Sequence, residues 1–265
     1  MKIGVLFMIC SIWIGACTQV NDSEKSTVEI ESEEGYSELN ASINSRVQLF
    51  LSYPLDSIKF PRSLETNGEV KGVPSKDWCS GFFPGSLLNL YKITGDKIFL
   101  ERAETWLPYL AKEQWNGKTH DMGFKVYCSI GNAYKITGKQ SYKKVLIQAA
   151  KTLSSRYDPT VGCIKSWDFG GDRWTYPVII DNMMNLELLF EATKLTGDSS
   201  FYKIADSHAE HTMINQYRSD NSCFHVIDYD QETGDVAQQL THQGYDVNSV
   251  WSRGQSWGFW IYNGL

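Results

Sequence analysis

The sequence predicts an all-α protein, an α/α toroid in which a ring of inner helices is enclosed by a ring of outer helices. Three observations lead to this prediction: a repeated segment, a glycine near the end of each copy, and two kinds of helix that alternate along the chain. The segment at residues 90–96 (LYKITGD) recurs at 133–139 (AYKITGK) and, more loosely, at 192–198 (ATKLTGD).

Each copy places a glycine where a helix should end. Gly95, Gly138 and Gly197 suit this position because glycine adopts the left-handed conformation of a helix C-terminus without steric penalty. The first two glycines are 43 residues apart and the next two 59, and a period near 43 fits a helical hairpin. The additional residues of the longer repeat fall in a loop at 161–177.

The two helices of each hairpin differ in their apolar pattern. Segments 83–93, 122–136 and 183–195 are apolar on several sides, which predicts inner helices buried all round. The helices that follow each glycine carry one apolar stripe, which predicts outer helices. The stripes are Phe99, Ala103, Trp106 and Leu110, then Tyr142, Val145, Leu146, Ala149 and Leu153, then Phe201, Ile204, Ala205 and His208.

The N-terminus has the features of a bacterial export signal. Lys2 precedes an apolar run at residues 3–14, which is too short to span a bilayer as a permanent helix. Residues 14–17 (IGAC) resemble a lipobox, in which the cysteine, here Cys17, receives lipid after cleavage. We therefore interpret 1–16 as a lipoprotein signal peptide and 17–35 as an acidic polar tether, which predicts a lipid-anchored protein of the cell envelope, periplasmic or at the cell surface. A plain secretory signal that happens to contain Cys17 is the alternative.

Composition narrows the classes of partner. A net charge of −6 without a cluster of Lys or Arg argues against nucleic acid. The 9 Trp, 14 Tyr and 12 Phe suit sugar binding, although protein cores use the same residues. Beyond the anchor the cysteines lack C-x-x-C spacing, so no zinc site is predicted, and single burial is favoured over one disulfide; they are Cys79, Cys128, Cys163 and Cys223. His208 and His211 are one helical turn apart without a third ligand and are interpreted as structural.

The toroid brings two aspartates to one rim. Inner helices that run in the same direction share the rim of their N-termini, where Asp121 and Asp181 lie together with the aromatic loop at 161–177. Either aspartate alone is also a favoured helix N-cap. Asp181 follows an apolar run, and a neighbouring carboxylate would raise one pKa, whereas the helix N-termini would lower it. The sequence leaves this balance open.

Five strings resemble one enzyme family. They are residues 77–85 (DWCSGFFPG), 120–124 (HDMGF), 180–185 (IDNMMN), 241–244 (THQG) and 251–258 (WSRGQSWG). In this order, over about residues 40–265, the chain resembles the unsaturated glucuronyl hydrolases of glycoside hydrolase family 88. The resemblance implies an (α/α)6 barrel, of which residues 36–265 would form the N-terminal two-thirds, truncated at the C-terminus. We expect such a truncated chain to be unstable or inactive by itself.

The resemblance also implies the chemistry. These enzymes remove the 4,5-unsaturated uronic acid from the non-reducing end of lyase-generated oligosaccharides of glycosaminoglycan type. They hydrate the vinyl ether and do not displace a group at the anomeric carbon. No cofactor or metal is implied, and the only membrane contact expected is the lipid anchor. By motif match Asp181 is the general acid/base and Asp121 its partner carboxylate.

The remaining matched residues are implied to bind substrate. Aromatic rings flanking the sugars would be Trp78, Trp167 and Trp257, and polar contacts would come from His120, His225, Gln243 and Arg253. Each has an ordinary structural interpretation as a core aromatic or a satisfied histidine. Two alternatives stay open: an unsaturated rhamnogalacturonyl hydrolase of glycoside hydrolase family 105, which has the same fold, and a non-catalytic glycan-binding lipoprotein fragment.

Overall fold

The computed structural model describes residues 47–55 and 59–264. The predicted signal peptide, Cys17 and the tether lie outside the described residues. Among the described residues, no helix is both long enough and apolar enough to cross a membrane.

The helices form the hairpins that the repeat predicts. Their inner and outer members are α1 (Phe82–Thr94) and α2 (Lys97–Ala111), then a π-helix (Gly123–Gly131) continuing as α3 (Asn132–Thr137) with α4 (Gln140–Ser154), then a 3-10 segment (Ile180–Asn185) leading to α5 (Glu187–Thr196) with α6 (Ser199–Asn215), and finally α7 (Ser252–Gly264). A short 3-10 helix, Trp78–Gly81, precedes α1.

The glycines end the inner helices as predicted. Gly95, Gly138 and Gly197 have φ values of 73°, 66° and 77°, which is the left-handed region that favours glycine. In the first and third copies the next residue starts the outer helix, because the side chain of Asp96 or Asp198 accepts a hydrogen bond from a backbone N–H of the first turn. The Thr-Gly-Asp string therefore ends one helix and caps the next.

The inner helices pack against one another in chain order. Helix α1 contacts the π-helix, the π-helix contacts the 3-10 segment and α5, and the 3-10 segment contacts α7. Close approach requires glycine at two of these contacts. A Cβ at Gly81 would strike the backbone carbonyls of Phe124 and Lys125, and one at Gly123 would lie 2.6 Å from Cα of Asn185.

The connecting loops contain strands that the sequence analysis did not predict. Two antiparallel pairs are β1 (Phe60–Leu64) with β2 (Val70–Val73) and β3 (Tyr157–Asp158) with β4 (Cys163–Ile164). A three-stranded antiparallel sheet has the order β5 (Tyr176–Ile179), β6 (Val226–Tyr229) and β7 (Val236–Leu240). Its apolar side chains pack in one buried cluster with residues of the 161–177 loop. The loop that the longer repeat adds is thus held by a small sheet.

The four cysteines of the described region are free. Cys163 and Cys223 are buried, and Cys79 and Cys128 are half-buried. No pair forms a disulfide there, which agrees with the favoured prediction of single cysteines.

Candidate active site

One edge of the three-stranded sheet positions three polar side chains. Ile179 pairs with Val226, and Val226 pairs with Leu240. Asp181 follows the first of these strands, His225 directly precedes the second, and His242 follows the third. Because paired residues lie side by side, the three side chains meet at the same edge of the sheet. Asp181 thereby lies in the first turn of the 3-10 segment.

The carboxyl group of Asp181 is buried without a hydrogen-bond partner on one oxygen. Its side chain is 14% exposed, and within the described residues Oδ2 has no hydrogen-bond partner. Burial, together with the negative charge of Asp121, raises the pKa of Asp181 to about 7. The group therefore holds a proton near neutrality. The sequence left open whether the pKa of this aspartate is raised or lowered, and in the structure it is raised.

Asp121 lies beside it, ahead of the π-helix. Its Oδ2 accepts a hydrogen bond of 2.7 Å from the hydroxyl of Thr119, and its Oδ1 is 3.1 Å from Nε2 of His120. The helix that follows has Met122 at its N-cap position, and Asp181 already lies inside its own helix. Both aspartates lie at helix starts, but in the described residues neither helix start has a side-chain capping hydrogen bond.

His120 lies behind Asp121 and is only 1% exposed. Its Nδ1 is 2.9 Å from the carbonyl oxygen of Ser166. A carbonyl can only accept, so Nδ1 carries the proton and Nε2 turns toward Asp121. Burial lowers the pKa of His120 and outweighs the effect of Asp121. The neutral ring therefore turns the lone pair of Nε2, and not an N–H group, toward Asp121, and within the described residues Nε2 has no hydrogen-bond partner.

His225 is fixed in the opposite tautomer. Its Nδ1 accepts hydrogen bonds of 3.0 Å from the backbone N–H groups of His242 and Gln243. The proton of the neutral ring must therefore be on Nε2, which is 3.8 Å from Oδ2 of Asp181. Burial, with the charges of His242 and Arg253, lowers the pKa of His225 to about 3. His225 thus presents a neutral N–H group beside the buried carboxyl.

Trp167 packs against both histidines at this edge of the sheet. Its ring centroid is 5.9 Å from that of His225 and 5.1 Å from that of His242. Trp167, which lies in the loop that precedes β5, therefore packs against the histidine that faces Asp181.

Arg253 lies in the first turn of α7. Its Nη2 donates a hydrogen bond of 3.1 Å to Oε1 of Gln243. Its guanidinium is 4.6 Å from the ring centroid of Trp251 and 5.7 Å from that of Trp78. The flat cation is held between aromatic faces, a geometry that leaves its fork of N–H groups available to an anion.

Trp78 and Trp257 both pack against Phe124. Their centroids are 5.5 Å and 5.4 Å from that of Phe124. Both tryptophans are half-buried, and Nε1 of Trp257 is buried without a hydrogen-bond partner in the described part of the chain. The structure thus brings together all the predicted site residues except Cys17, which lies outside the described residues.

Sequence reasoning missed the polar residues that hold this arrangement. Ser166 accepts a hydrogen bond from the N–H of Ile179 and donates one of 3.2 Å to Oδ1 of Asn182. Asn185 accepts one of 3.0 Å from the N–H of Phe124 and so ties the 3-10 segment to the π-helix. The available signal was the two asparagines at 182 and 185, three positions apart in an apolar helix.

No cluster of three or more His, Cys, Asp or Glu side chains in the described region is arranged to hold a metal ion. His208 is buried, and its Nδ1 accepts a hydrogen bond from the N–H of Ile164, while Nδ1 of His211 is 2.8 Å from the carbonyl of Ser207. Both bond to neighbouring backbone, in agreement with the structural interpretation.

Comparison with known protein families identifies the family to which this chain belongs. Residues 59–261 match the model of Glycosyl Hydrolase Family 88. The chain belongs to this family. A relative from Formosa agariphila, named unsaturated glucuronyl hydrolase, is 49% identical over 234 residues, which cover 88% of this chain and 58% of the relative. An unsaturated chondroitin disaccharide hydrolase of Streptococcus pneumoniae is 33% identical over 216 residues, covering 80% of this chain and 54% of the relative.

Solved structures agree with the family 88 assignment. An unsaturated glucuronyl hydrolase specific for heparin matches with a TM-score of 0.80 and 41% identity, covering 85% of this chain and 60% of that one. A mutant from Streptococcus agalactiae complexed with dGlcA-GalNAc6S matches with a TM-score of 0.66 and 28% identity, covering 85% and 55%. The helical ring therefore has the (α/α)6 toroid fold of family 88. The chain spans a little over half the length of these relatives.

Proposed function

We propose that this protein removes the 4,5-unsaturated uronic acid from the non-reducing end of lyase-generated glycosaminoglycan oligosaccharides. The observation that carries the proposal is Asp181, a buried carboxyl whose pKa of about 7 keeps a proton available beside Asp121. The names of the family 88 relatives support the substrate class, since they are an unsaturated glucuronyl hydrolase and an unsaturated chondroitin disaccharide hydrolase.

In the proposed reaction Asp181 serves first as acid and then as base. Its carboxyl group gives a proton to C4 of the sugar, and positive charge develops on C5 and the ring oxygen. Water adds to C5 and gives its proton to the Asp181 carboxylate, which restores the acid. The hemiketal then opens at the C5–ring oxygen bond, the ring oxygen becomes a hydroxyl on C1, and C1 releases the second sugar.

The other site residues bind and orient in this proposal. Arg253 pairs with the uronate carboxylate through two parallel hydrogen bonds. Trp78, Trp167 and Trp257 offer aromatic surface to the sugar rings, and Gln243 and His225 contribute polar contacts. The negative charge of Asp121 keeps the proton on Asp181.

We also propose a place for the protein in the cell. Residues 1–16 would be a lipoprotein signal peptide, Cys17 the lipid-bearing residue and 17–35 a tether, with the enzyme anchored in the cell envelope by lipid alone. The apolar run and the IGAC string support this. Labelled fatty acid should enter the wild-type protein and should be absent from Cys17→Ala; equal labelling of both would remove Cys17 as the anchor.

The activity is tested by ultraviolet absorbance of the 4,5 double bond. Purified protein is incubated with unsaturated disaccharides made by lyases from chondroitin, heparin and rhamnogalacturonan, in separate reactions. We expect loss of absorbance with the glycosaminoglycan products. Turnover of the rhamnogalacturonan product alone would transfer the protein to the alternative activity, and turnover of none by the whole protein would leave a glycan-binding role.

A further inference from the structure

Ser166 is a buried residue that contacts the chain neighbours of both aspartates. It is fully buried, and the proposed reaction gives it no role. Its carbonyl oxygen is 2.9 Å from Nδ1 of His120, which directly precedes Asp121. Its hydroxyl is 3.2 Å from Oδ1 of Asn182, which directly follows Asp181. One residue therefore links the two segments that carry the carboxyl groups.

Every polar group of Ser166 has a partner. The backbone N–H donates to the carbonyl of Pro177 at 2.8 Å, and the hydroxyl oxygen accepts from the N–H of Ile179 at 2.9 Å. The hydroxyl proton is donated to Oδ1 of Asn182, and the carbonyl accepts from Nδ1 of His120. The direction of these bonds is fixed, because a hydroxyl has one proton and amide or carbonyl oxygens only accept. The position of Ser166 is thereby set relative to both segments.

Arg156 anchors the segment that carries Ser166. Its backbone carbonyl accepts from the N–H of Lys165, and its Nε donates to the carbonyl of Lys165 at 2.8 Å. Its guanidinium also donates hydrogen bonds of 2.9 Å and 3.0 Å to the carboxylate of Asp168 and one of 2.6 Å to the carbonyl of Gly117. Bidentate pairing of arginine with a carboxylate restricts the geometry of both groups, so Ser166 lies on a fixed support.

The separation of the two carboxyl groups affects the proton on Asp181. Burial raises the pKa of Asp181 most, the charge of Asp121 raises it further, and the charge of Arg253 opposes both. Two other titratable groups near Asp181 are neutral around pH 7, because the pKa of His225 is about 3 and that of Cys223 about 11. Repulsion between charges weakens with distance and with the entry of water. A wider or wetter gap between the aspartates would therefore lower the pKa of Asp181.

We propose that Ser166 is a positioning residue whose hydroxyl and carbonyl hold Asp181 and Asp121 at the separation that the acid/base reaction needs. The inference rests on the proposed function, because it takes Asp181 as the acid. Without the hydroxyl, the N–H of Ile179 and Oδ1 of Asn182 would lose a partner inside the protein, and a buried polar group without a partner is costly. The segment would shift, or water would enter to supply the missing hydrogen bonds, and Asp181 would lose part of its burial.

The test compares the whole protein with its Ser166→Ala variant on an unsaturated chondroitin disaccharide. We expect kcat to fall about 10-fold and KM to change less than about threefold, because a misplaced reacting group slows the reaction more than it weakens binding. The alkaline decline of kcat/KM should move to lower pH by about half a unit or more, since weaker burial and weaker repulsion both lower the pKa of Asp181. Ultraviolet rate profiles across neutrality measure kcat, KM and the position of the decline.

Ser129→Ala is the matched control. Ser129 is also fully buried, and its hydroxyl donates to the carbonyl of Lys125 within the π-helix. Its removal deletes a buried hydroxyl without releasing the segments that Ser166 links, so kcat and the pH of the decline should stay unchanged. Ser166→Cys is the second variant, because its thiol fills the same space and is a weaker hydrogen-bonding group. We expect it to move the decline in the same direction by a smaller amount, also where Ser166→Ala does not fold.

The other outcomes overturn the positioning role of Ser166. They are an unmoved decline in the folded Ser166 variants, an equal movement in Ser129→Ala, and a change confined to KM. If the wild type turns over no unsaturated disaccharide, the proposed function fails, and the inference is then decided separately by NMR titration of the Asp181 carboxyl carbon. A lower pKa in Ser166→Ala than in wild type supports the positioning role, and equal values overturn it.

Discussion

Glu113 and Asp181 are both buried carboxylic acids, and their surroundings differ in the number of hydrogen-bond donors. The side chain of Glu113 accepts hydrogen bonds from Ser75 at 2.7 Å and from Asn116 at 2.8 Å, and it lies 3.4 Å from Nζ of the fully buried Lys125. Burial alone would raise the pKa of Glu113, but the hydrogen bonds and the Lys125 charge hold it below its usual value. Oδ2 of Asp181 has no such donor.

The difference separates a group that stabilises the fold from one suited to chemistry. A carboxylate with three donors stays ionised and holds its neighbours in place. A carboxyl with an unsatisfied oxygen and a like-charged neighbour keeps its proton and can transfer it. Glu113 pairs with Lys125, which lies in the first turn of the π-helix, and the like charge that acts on Asp181 comes from Asp121, two residues before that helix.

The largest expected effect is the loss of turnover in Asp181→Asn. The amide keeps the shape of the side chain but has no acidic proton to transfer, and general acid/base catalysis contributes roughly 10²–10⁴-fold. We expect kcat to fall by at least about 100-fold and substrate affinity to change only a few-fold. Absorbance assays and calorimetry measure the two. Residual activity above about a tenth of wild type would remove Asp181 from the acid/base role.

Glu113→Ala should act on stability. It leaves Lys125 buried without its counter-charge, and breaking a buried pair costs about 3–5 kcal/mol. Urea unfolding measures this loss. The double variant Glu113→Gln, Lys125→Met should recover much of it, because no uncompensated charge remains. If the double variant is no more stable than Glu113→Ala, the pair does not behave as a compensated unit.

The pH dependence of kcat/KM tests whether Asp181, unlike Glu113, carries a proton near neutrality. With a pKa of about 7, Asp181 should lose its proton across neutrality, so kcat/KM should fall above pH 7. Asp121→Asn removes the like charge and should move this decline to lower pH, while burial still keeps the pKa above its ordinary value. Rate profiles on both proteins test this; an unmoved decline would mean that burial alone sets the pKa.

The same carboxyl should make stability depend on pH. Its folded pKa is raised above the ordinary 3.8, so between about pH 4 and 7 the folded state binds more protons than the unfolded state, and stability falls as pH rises through this window. Asp181→Asn should therefore be more stable than wild type at pH 8 by about 1–3 kcal/mol and close to it at pH 4. Urea unfolding at the two pH values measures the difference; equal gains at both would contradict the linkage.

The smallest effect belongs to an exposed pair that serves as a control. Lys139 and Glu104 form an ion pair on the surface, with side chains 49% and 27% exposed. Water screens such pairs, so Glu104→Gln should cost less than about 1 kcal/mol in the same urea measurement. A loss as large as that of Glu113→Ala would show that burial is not what distinguishes the two glutamates.

The sequence by itself determined the helical hairpins, their ends and the family. Gly95, Gly138 and Gly197 mark helix ends because the left-handed conformation is a local property of glycine. The apolar periodicity separated inner from outer helices because it records which face of each helix is buried. Asp121 and Asp181 could be placed at helix starts because each lies where one of the apolar inner segments begins.

Only the tertiary structure decided what these aspartates do there. The strands that align Asp181 with His225 pair segments far apart in the chain, and no local pattern in the loops revealed them. The tautomer of His225 depends on backbone groups at 242 and 243, and the pKa of Asp181 depends on burial and on Asp121. Burial and long-range hydrogen bonds are properties of the packed chain, so the proton on Asp181 could not be assigned until the fold surrounded it.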